Sequence, residues 1–110
     1  MLATLVTNFD NTKNKIFEKD LLNDPDGYRS KYVELKKYFF KHGFDIATED
    51  LNPIDSSKIV IYIDVPKKLV INHTALSVLI IVENPLIYKK NWNKKINKFF
   101  DIIFTWDDNL

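Results

Sequence analysis

Leu79–Leu110 reads LIIVENPLIYKKNWNKKINKFFDIIFTWDDNL, and the order of apolar and polar residues in it decides the fold class. A short apolar run, Leu79-Ile80-Ile81-Val82, stops at the carboxylate Glu83 with no spacer. A turn region with Pro85 follows. From about Asn91 to Phe99 the pattern predicts a helix, with Trp92, Ile96, Phe99 and the adjoining Phe100 as its buried stripe and Lys94, Lys95 and Lys98 on its wet side. Asp101 to Phe104 is a second strand-like run, ending in Thr105-Trp106-Asp107-Asp108-Asn109. Strand, helix, strand is the unit of a parallel sheet, because parallel strands need a crossover between them. Polar side chains stand where each strand stops, at the edge where open parallel sheets bind ligands.

Working outward, the front of the chain repeats this logic. Leu2–Val6 is apolar enough for a buried first strand, stopping at Thr7-Asn8-Phe9-Asp10. Asn11–Gly27 is polar and turn-rich, read as a long functional or mobile loop. A helix follows from Tyr28, with Tyr32, Leu35 and Phe39 on one stripe, Asp26 as its N-cap and Gly43 as its left-handed stop. Phe44–Ala47 reads as a second strand, and Lys58–Ile63 as the strongest strand of the chain, ending at Asp64. Between Pro66 and Ser77, Leu69, Val70 and Leu76 are compatible with a short crossover helix; Leu79–Val82 is the fourth strand. Right-handed crossovers then give one α/β, Rossmann-like domain over residues 1–110, its mainly parallel sheet of about five strands ordered 2-1-3-4-5.

Composition limits the function. Hydrophobic residues make up 45% and charged residues 28%, as in a soluble globular domain. The net charge of +1 gives no global argument for nucleic acid or an anionic surface. No cysteine occurs, which excludes disulfides and thiol chemistry, and two separated histidines, His42 and His73, do not make a metal site. The only glycines are Gly27 and Gly43, so a glycine-rich phosphate loop is absent and no nucleotide cofactor is expected here. No apolar run is long enough to span a membrane, and the N-terminal MLATLVTNFD lacks a basic signal region, so cytoplasmic residence is the expectation.

Several carboxylates and amides fall at strand ends: Asn8, Asp10, Asp64, Glu83, Asp107 and Asp108. Polar residues collect there ordinarily, because strand ends meet water and Asp caps helices. Glu83 stands out because four apolar residues precede it directly. A base needs hydrogen-bond reach to its proton and a pKa tuned by its pocket. A phosphoacceptor role for Asp64 would require an acidic pair after the first strand and a lysine after the fifth; Thr7-Asn8 and Thr105-Trp106 hold those places. The lysines at 89, 90, 94, 95 and 98 read as a solvated face rather than a polyanion site. Trp106, beyond the last strand, is the aromatic best placed to stack on a sugar. Asn72-His73-Thr74 is a glycosylation sequon.

Val82-Glu83-Asn84-Pro85 through Asn91-Trp92, followed by FFDIIFTWDDNL over Phe99–Leu110, resembles the α-1,3-fucosyltransferases of glycosyltransferase family 10. The resemblance covers about thirty residues and is only architectural over the rest. It implies the N-terminal, acceptor-side half of a GT-B enzyme that transfers fucose from GDP-fucose to a glycan hydroxyl with inversion. On that resemblance Glu83 is the general base, with partial desolvation raising its pKa, and Asn84 is an acceptor contact. Asn8 and Trp106 are further acceptor-binding candidates. The donor, GDP-fucose, would be held by a C-terminal donor domain, so residues 1–110 alone are expected to be inactive. The other expectations are a stand-alone, non-catalytic carbohydrate-binding or protein-interaction module, and self-association through an uncovered last strand.

Overall fold

The computed structural model describes residues 1–8, 13–17, 30–82 and 89–105. Five strands form one all-parallel sheet: β1 (Leu2–Val6), β2 (Asp45–Thr48), β3 (Ile59–Ile63), β4 (Leu76–Ile80) and β5 (Ile102–Phe104). Their order is β2-β1-β3-β4-β5, as the alternation of strands and crossovers predicts. The register pairs Thr4 with Ala47 and Val60, Ile61 with Val78, and Ile80 with Phe104. With all strands parallel, their carboxyl ends, where the sequence places Asn8, Asp64 and Glu83, belong to one edge.

Both faces of the central strands are buried, which is why β1 and β3 read as continuous apolar runs rather than alternating ones. On one face Ala3, Leu5, Ile46, Ile61, Ile63 and Val78 pack against Tyr32, Ile16 and Phe17. On the other, Val6, Val60, Tyr62, Leu79 and Ile81 pack with Val65, Phe100 and the partly buried Trp92 and Ile96. This is a small Rossmann-like α/β domain with cover on both sides of its sheet.

Helix α1 (Ser30–Lys41) turns Tyr32 into the first core, with Leu35 and Phe39 packed against it. It ends where the sequence predicts. Gly43 has φ +85°, the Gly43 N–H donates to the Phe40 carbonyl at 3.1 Å, and the Phe44 N–H donates to the Phe39 carbonyl at 2.8 Å. That is a Schellman stop, completed by an edge-on contact of the Phe39 and Phe44 rings at 5.9 Å. The predicted N-cap, Asp26, lies outside the described residues.

Three expectations are corrected. The segment read as a polar loop contributes a 3-10 turn, Lys15–Phe17, whose Ile16 and Phe17 are buried in the first core. No helix connects β3 to β4. Instead the Asn72 side-chain oxygen accepts from Thr74 N–H and its hydroxyl, an Asx turn that competes with helix, and β4 starts early because Leu76 N–H bonds the Lys58 carbonyl. The helix expected from Asn91 to Phe99 is broken into a 3-10 turn, Lys89–Trp92, and a single α-turn, α2 (Lys94–Asn97). Two asparagines cause the break. Asn91 points its side chain inward to the strand ends, and Asn93 takes an extended backbone and caps α2 by accepting from Lys95 N–H at 3.0 Å. Of the expected stripe, Phe100 fills the core, edge-on to Tyr62 at 5.1 Å, while Phe99 is exposed.

Candidate functional site at the carboxyl edge

The exits of β1, β3 and β4 meet around one buried carboxylate. Asp64 follows β3, is 5% exposed, and has φ +60°. That left-handed backbone costs an L-residue on the order of 1–2 kcal/mol, least for Asp, Asn and Gly. Its N–H donates to the Ile80 carbonyl at 2.9 Å, and its Oδ1 accepts from Val82 N–H at 2.8 Å. Asp64 therefore brackets Ile81 with two bonds, one from its backbone and one from its side chain.

Asn91 braces this arrangement. It is fully buried; its Nδ2 donates to the same Asp64 Oδ1 at 2.7 Å, and its Oδ1 accepts from Val65 N–H at 2.6 Å. The loop after Asp64 is held from two further sides. Lys90 Nζ donates to the Pro66 and Lys67 carbonyls at 2.9 and 2.8 Å. Asn8, at the exit of β1, donates from Nδ2 to the Val65 carbonyl and accepts at Oδ1 from Lys67 N–H, both at 3.3 Å.

At the neighbouring β2 exit, Asp50 Oδ1 accepts from the Thr48 hydroxyl at 2.6 Å and its Oδ2 from Lys13 N–H at 2.8 Å. The Thr48 bond, then the Lys13 bond, hold this carboxyl below its ordinary pKa.

Beside the β4 exit lie two shallow apolar hollows that share Ile80 and Val82. One, about 190 Å³, runs between α1 and the sheet and is lined by Lys31, Tyr32, Leu35 and Ile63 as well. The other, about 490 Å³, lies against Ile81, Phe104 and Thr105. A larger hollow of about 550 Å³ sits between α1 and β2, around Phe40, Phe44 and Ile46. Lys36, Lys37 and Asp45 line it as well, and it lies at the start of β2, the end opposite the polar strand exits.

Among the sequence-predicted residues, Asn8 is placed at this edge, with its amide engaged on the β3 loop. Glu83, Asn84 and Trp106 lie outside the described residues, as do Asp10, Asp107 and Asp108. Val82, the residue before Glu83, is placed there by Asp64. Asp64 is a strand-end carboxylate as read from sequence, but its role in the fold is to hold β4. Asn91 was not singled out as a site residue. Nothing local in the sequence marks an asparagine as buried; the signal is the distant carboxylate it meets.

The sequon is structural. Asn72 Nδ2, the atom a glycan would take, donates to the Ile54 carbonyl at 2.9 Å and the Ser57 carbonyl at 3.3 Å. Lys94, Lys95 and Lys98 are exposed, as expected of a solvated face. Among the described residues no group of three or more His, Cys, Asp and Glu is arranged to hold a metal, and no helix is long and apolar enough to cross a membrane.

Fold and edge together define a parallel α/β domain whose strand exits are tied by a buried Asp–Asn pair. Comparison of the chain with protein-family models, curated proteins and solved structures finds no match.

Proposed function

We propose that residues 1–110 form the acceptor-side domain of a fucosyltransferase-like glycosyltransferase. The observation that carries the reading is the placement of the β4 exit. The residue preceding Glu83 is anchored at the carboxyl edge of a parallel sheet, between two apolar hollows. In open α/β sheets that edge is the place for a ligand. The thirty-residue resemblance runs through this same unit, β4 to β5.

In the proposed reaction Glu83 takes the proton of an acceptor glycan hydroxyl as its oxygen attacks the anomeric carbon of GDP-fucose. The new C–O bond forms on the face opposite the departing GDP, which leaves with the electron pair of the bond it breaks, so the anomeric centre inverts. Asn84, Asn8 and Trp106 are the acceptor contacts. The donor is bound by a second domain, and residues 1–110 alone catalyse nothing. The test is fucose transfer by an enzyme joining these residues to a donor domain. Glu83→Gln is expected to lower kcat by about 10²–10⁴-fold, the usual worth of a positioned base. Near-normal turnover in that variant would remove Glu83 from the chemistry.

A second reading, a non-catalytic module that associates through its last strand, is favoured by the exposure of Ile102 and Phe104 on β5 at the sheet edge. Light scattering that shows a mass rising with concentration, and falling back after Phe104→Lys, would support it.

A further inference from the structure

We infer that the outer edge of β5 takes an extended peptide segment of a partner protein, one whose side chains alternate acidic and apolar. Its acidic face meets Lys94, Asn97 and Lys98 of the α2 segment, and its apolar face lies beside Ile102 and Phe104. The inference shares the β5 edge with the second reading above, names a partner other than a second copy, and is independent of Glu83.

The two edges of the sheet are not alike. β2 closes one side, and its outer backbone is covered from within the domain. Lys36 Nζ donates to the Ile46 carbonyl, Asn14 Oδ1 accepts from Thr48 N–H at 3.0 Å, and the Thr48 carbonyl accepts from Leu51 and Asn52 N–H, both at 3.0 Å. An edge blunted in this way resists strand addition. β5 closes the other side, and among the described residues it has β4 on one flank and no strand on the other. Such an edge is a ready template for an extended chain.

The surroundings of β5 specify the segment. A hollow of about 340 Å³ is lined by Lys94, Asn97, Lys98 and Ile103. Asn97 is 8% exposed, and neither its amide nitrogen nor its amide oxygen has a hydrogen-bond partner. Buried amides are almost always paired, so this one keeps its bonding capacity for an incoming group. Lys94 and Lys98, one helical turn apart, are exposed cations, while Asp101, at the start of β5, has its carboxylate on Ser77 N–H at 2.8 Å. A carboxylate entering the hollow meets two ammonium groups and, as the lysine stems swing aside, the Asn97 Nδ2 donor. On β5 itself Ile103 packs toward Trp92, Ile96 and Phe100, and the alternate residues Ile102 and Phe104 are exposed on the other face. A strand laid beside β5 is therefore matched by apolar side chains on that face and acidic ones on the side of α2.

The experiment is a nitrogen-15 NMR titration of the 110-residue chain, at a concentration where light scattering gives the monomer mass. The probe is a capped synthetic peptide of about seven residues, alternating glutamate and valine, one strand in length. Saturable shifts are expected at Ile102, Ile103 and Phe104 and at the Asn97 side-chain amide, with none at Ile46 or Thr48. Asn97→Leu is expected to weaken binding about tenfold, the worth of one hydrogen bond to a charged group. A lysine–valine peptide, and one with its glutamates and valines in separate blocks, should each bind more weakly by about tenfold or more. Lys94→Gln together with Lys98→Gln should weaken binding and remove most of its salt dependence. No saturable binding, equal binding of the blocked peptide, shifts centred on β2, or unchanged affinity for Asn97→Leu would each overturn the inference. Should Asn97→Leu fail to fold, the exposed pair Lys94→Gln and Lys98→Gln takes its place, and unchanged affinity there overturns it. A chain dimeric at every concentration, whose β5 contact the peptide does not open, would assign the edge to a second copy and overturn it as well. The fucose-transfer assay fails or succeeds independently of all these results.

Discussion

Removing the Asn91 side chain tests the buried network most directly. Asn91→Ala takes from the fully buried Val65 N–H the acceptor it uses at 2.6 Å, and from the Asp64 carboxylate a donor at 2.7 Å. Depriving a buried donor of its acceptor costs about 1–3 kcal/mol, and a hydrogen bond to a charged group contributes about 1.5–3 kcal/mol. Both losses come from one side chain and are not fully additive, so the expected destabilisation is about 3–5 kcal/mol. Against a total stability of about 5–15 kcal/mol for a domain, that is a large fraction. Urea unfolding followed by circular dichroism measures it: with a slope of about 1–3 kcal/mol per molar, the midpoint falls by about 2 M. Asp64→Ala combined with Asn91→Ala should cost less than the sum of the singles by about 1–3 kcal/mol, since both remove the same bond. A loss below about 1 kcal/mol for Asn91→Ala would put it in the range of an ordinary surface change and refute the network as a structural centre.

Two further outcomes follow from the fold. Tyr62 is fully buried, its hydroxyl donates to the Val70 carbonyl at 2.5 Å, and burial, with a smaller contribution from the negative charge of Glu49, pushes its pKa up to about 12. The folded state thus holds this proton more tightly than the unfolded chain, where tyrosine titrates near about 10. The stabilisation is complete below pH 10 and is lost as pH rises through 12. Tyr62→Phe is expected to cost about 1 kcal/mol at neutral pH and to flatten the alkaline fall in Tm; identical alkaline curves for the two proteins would contradict this. Gly43→Ala should cost about 1–2 kcal/mol through its positive φ alone, because nothing lies within 4 Å of the added carbon. Gly43→Asn should cost less in the same urea titration, and an equal loss would point to a cause other than backbone conformation.

Local chemistry in the sequence was enough for the elements whose stability is local. Ile59–Ile63 forms the central strand because β-branched residues fill both faces of a sheet, and Gly43 ends α1 because it alone there adopts positive φ without strain. The strand order follows too, since right-handed crossovers leave few ways to arrange five parallel strands. The segments that misread are those in which an asparagine serves a distant partner. Asn72 supports the turn at Ile54–Ser56, and so the connection before β4 is not a helix. Asn91 reaches across twenty-seven residues to Asp64, and the helix predicted from its periodicity breaks there.

The sequence by itself therefore determined the class of fold, the order of the sheet and the edge on which the polar residues gather, because apolar periodicity and turn chemistry act over a few residues. Only the tertiary structure decided that the Asp64 carboxylate is buried and what it does. Asp64 and Asn91 look alike in the sequence to any solvated Asp and Asn. They become the clamp on β4 because the parallel sheet brings the exits of β3 and β4 side by side, where an inward-facing amide satisfies a carboxylate removed from water.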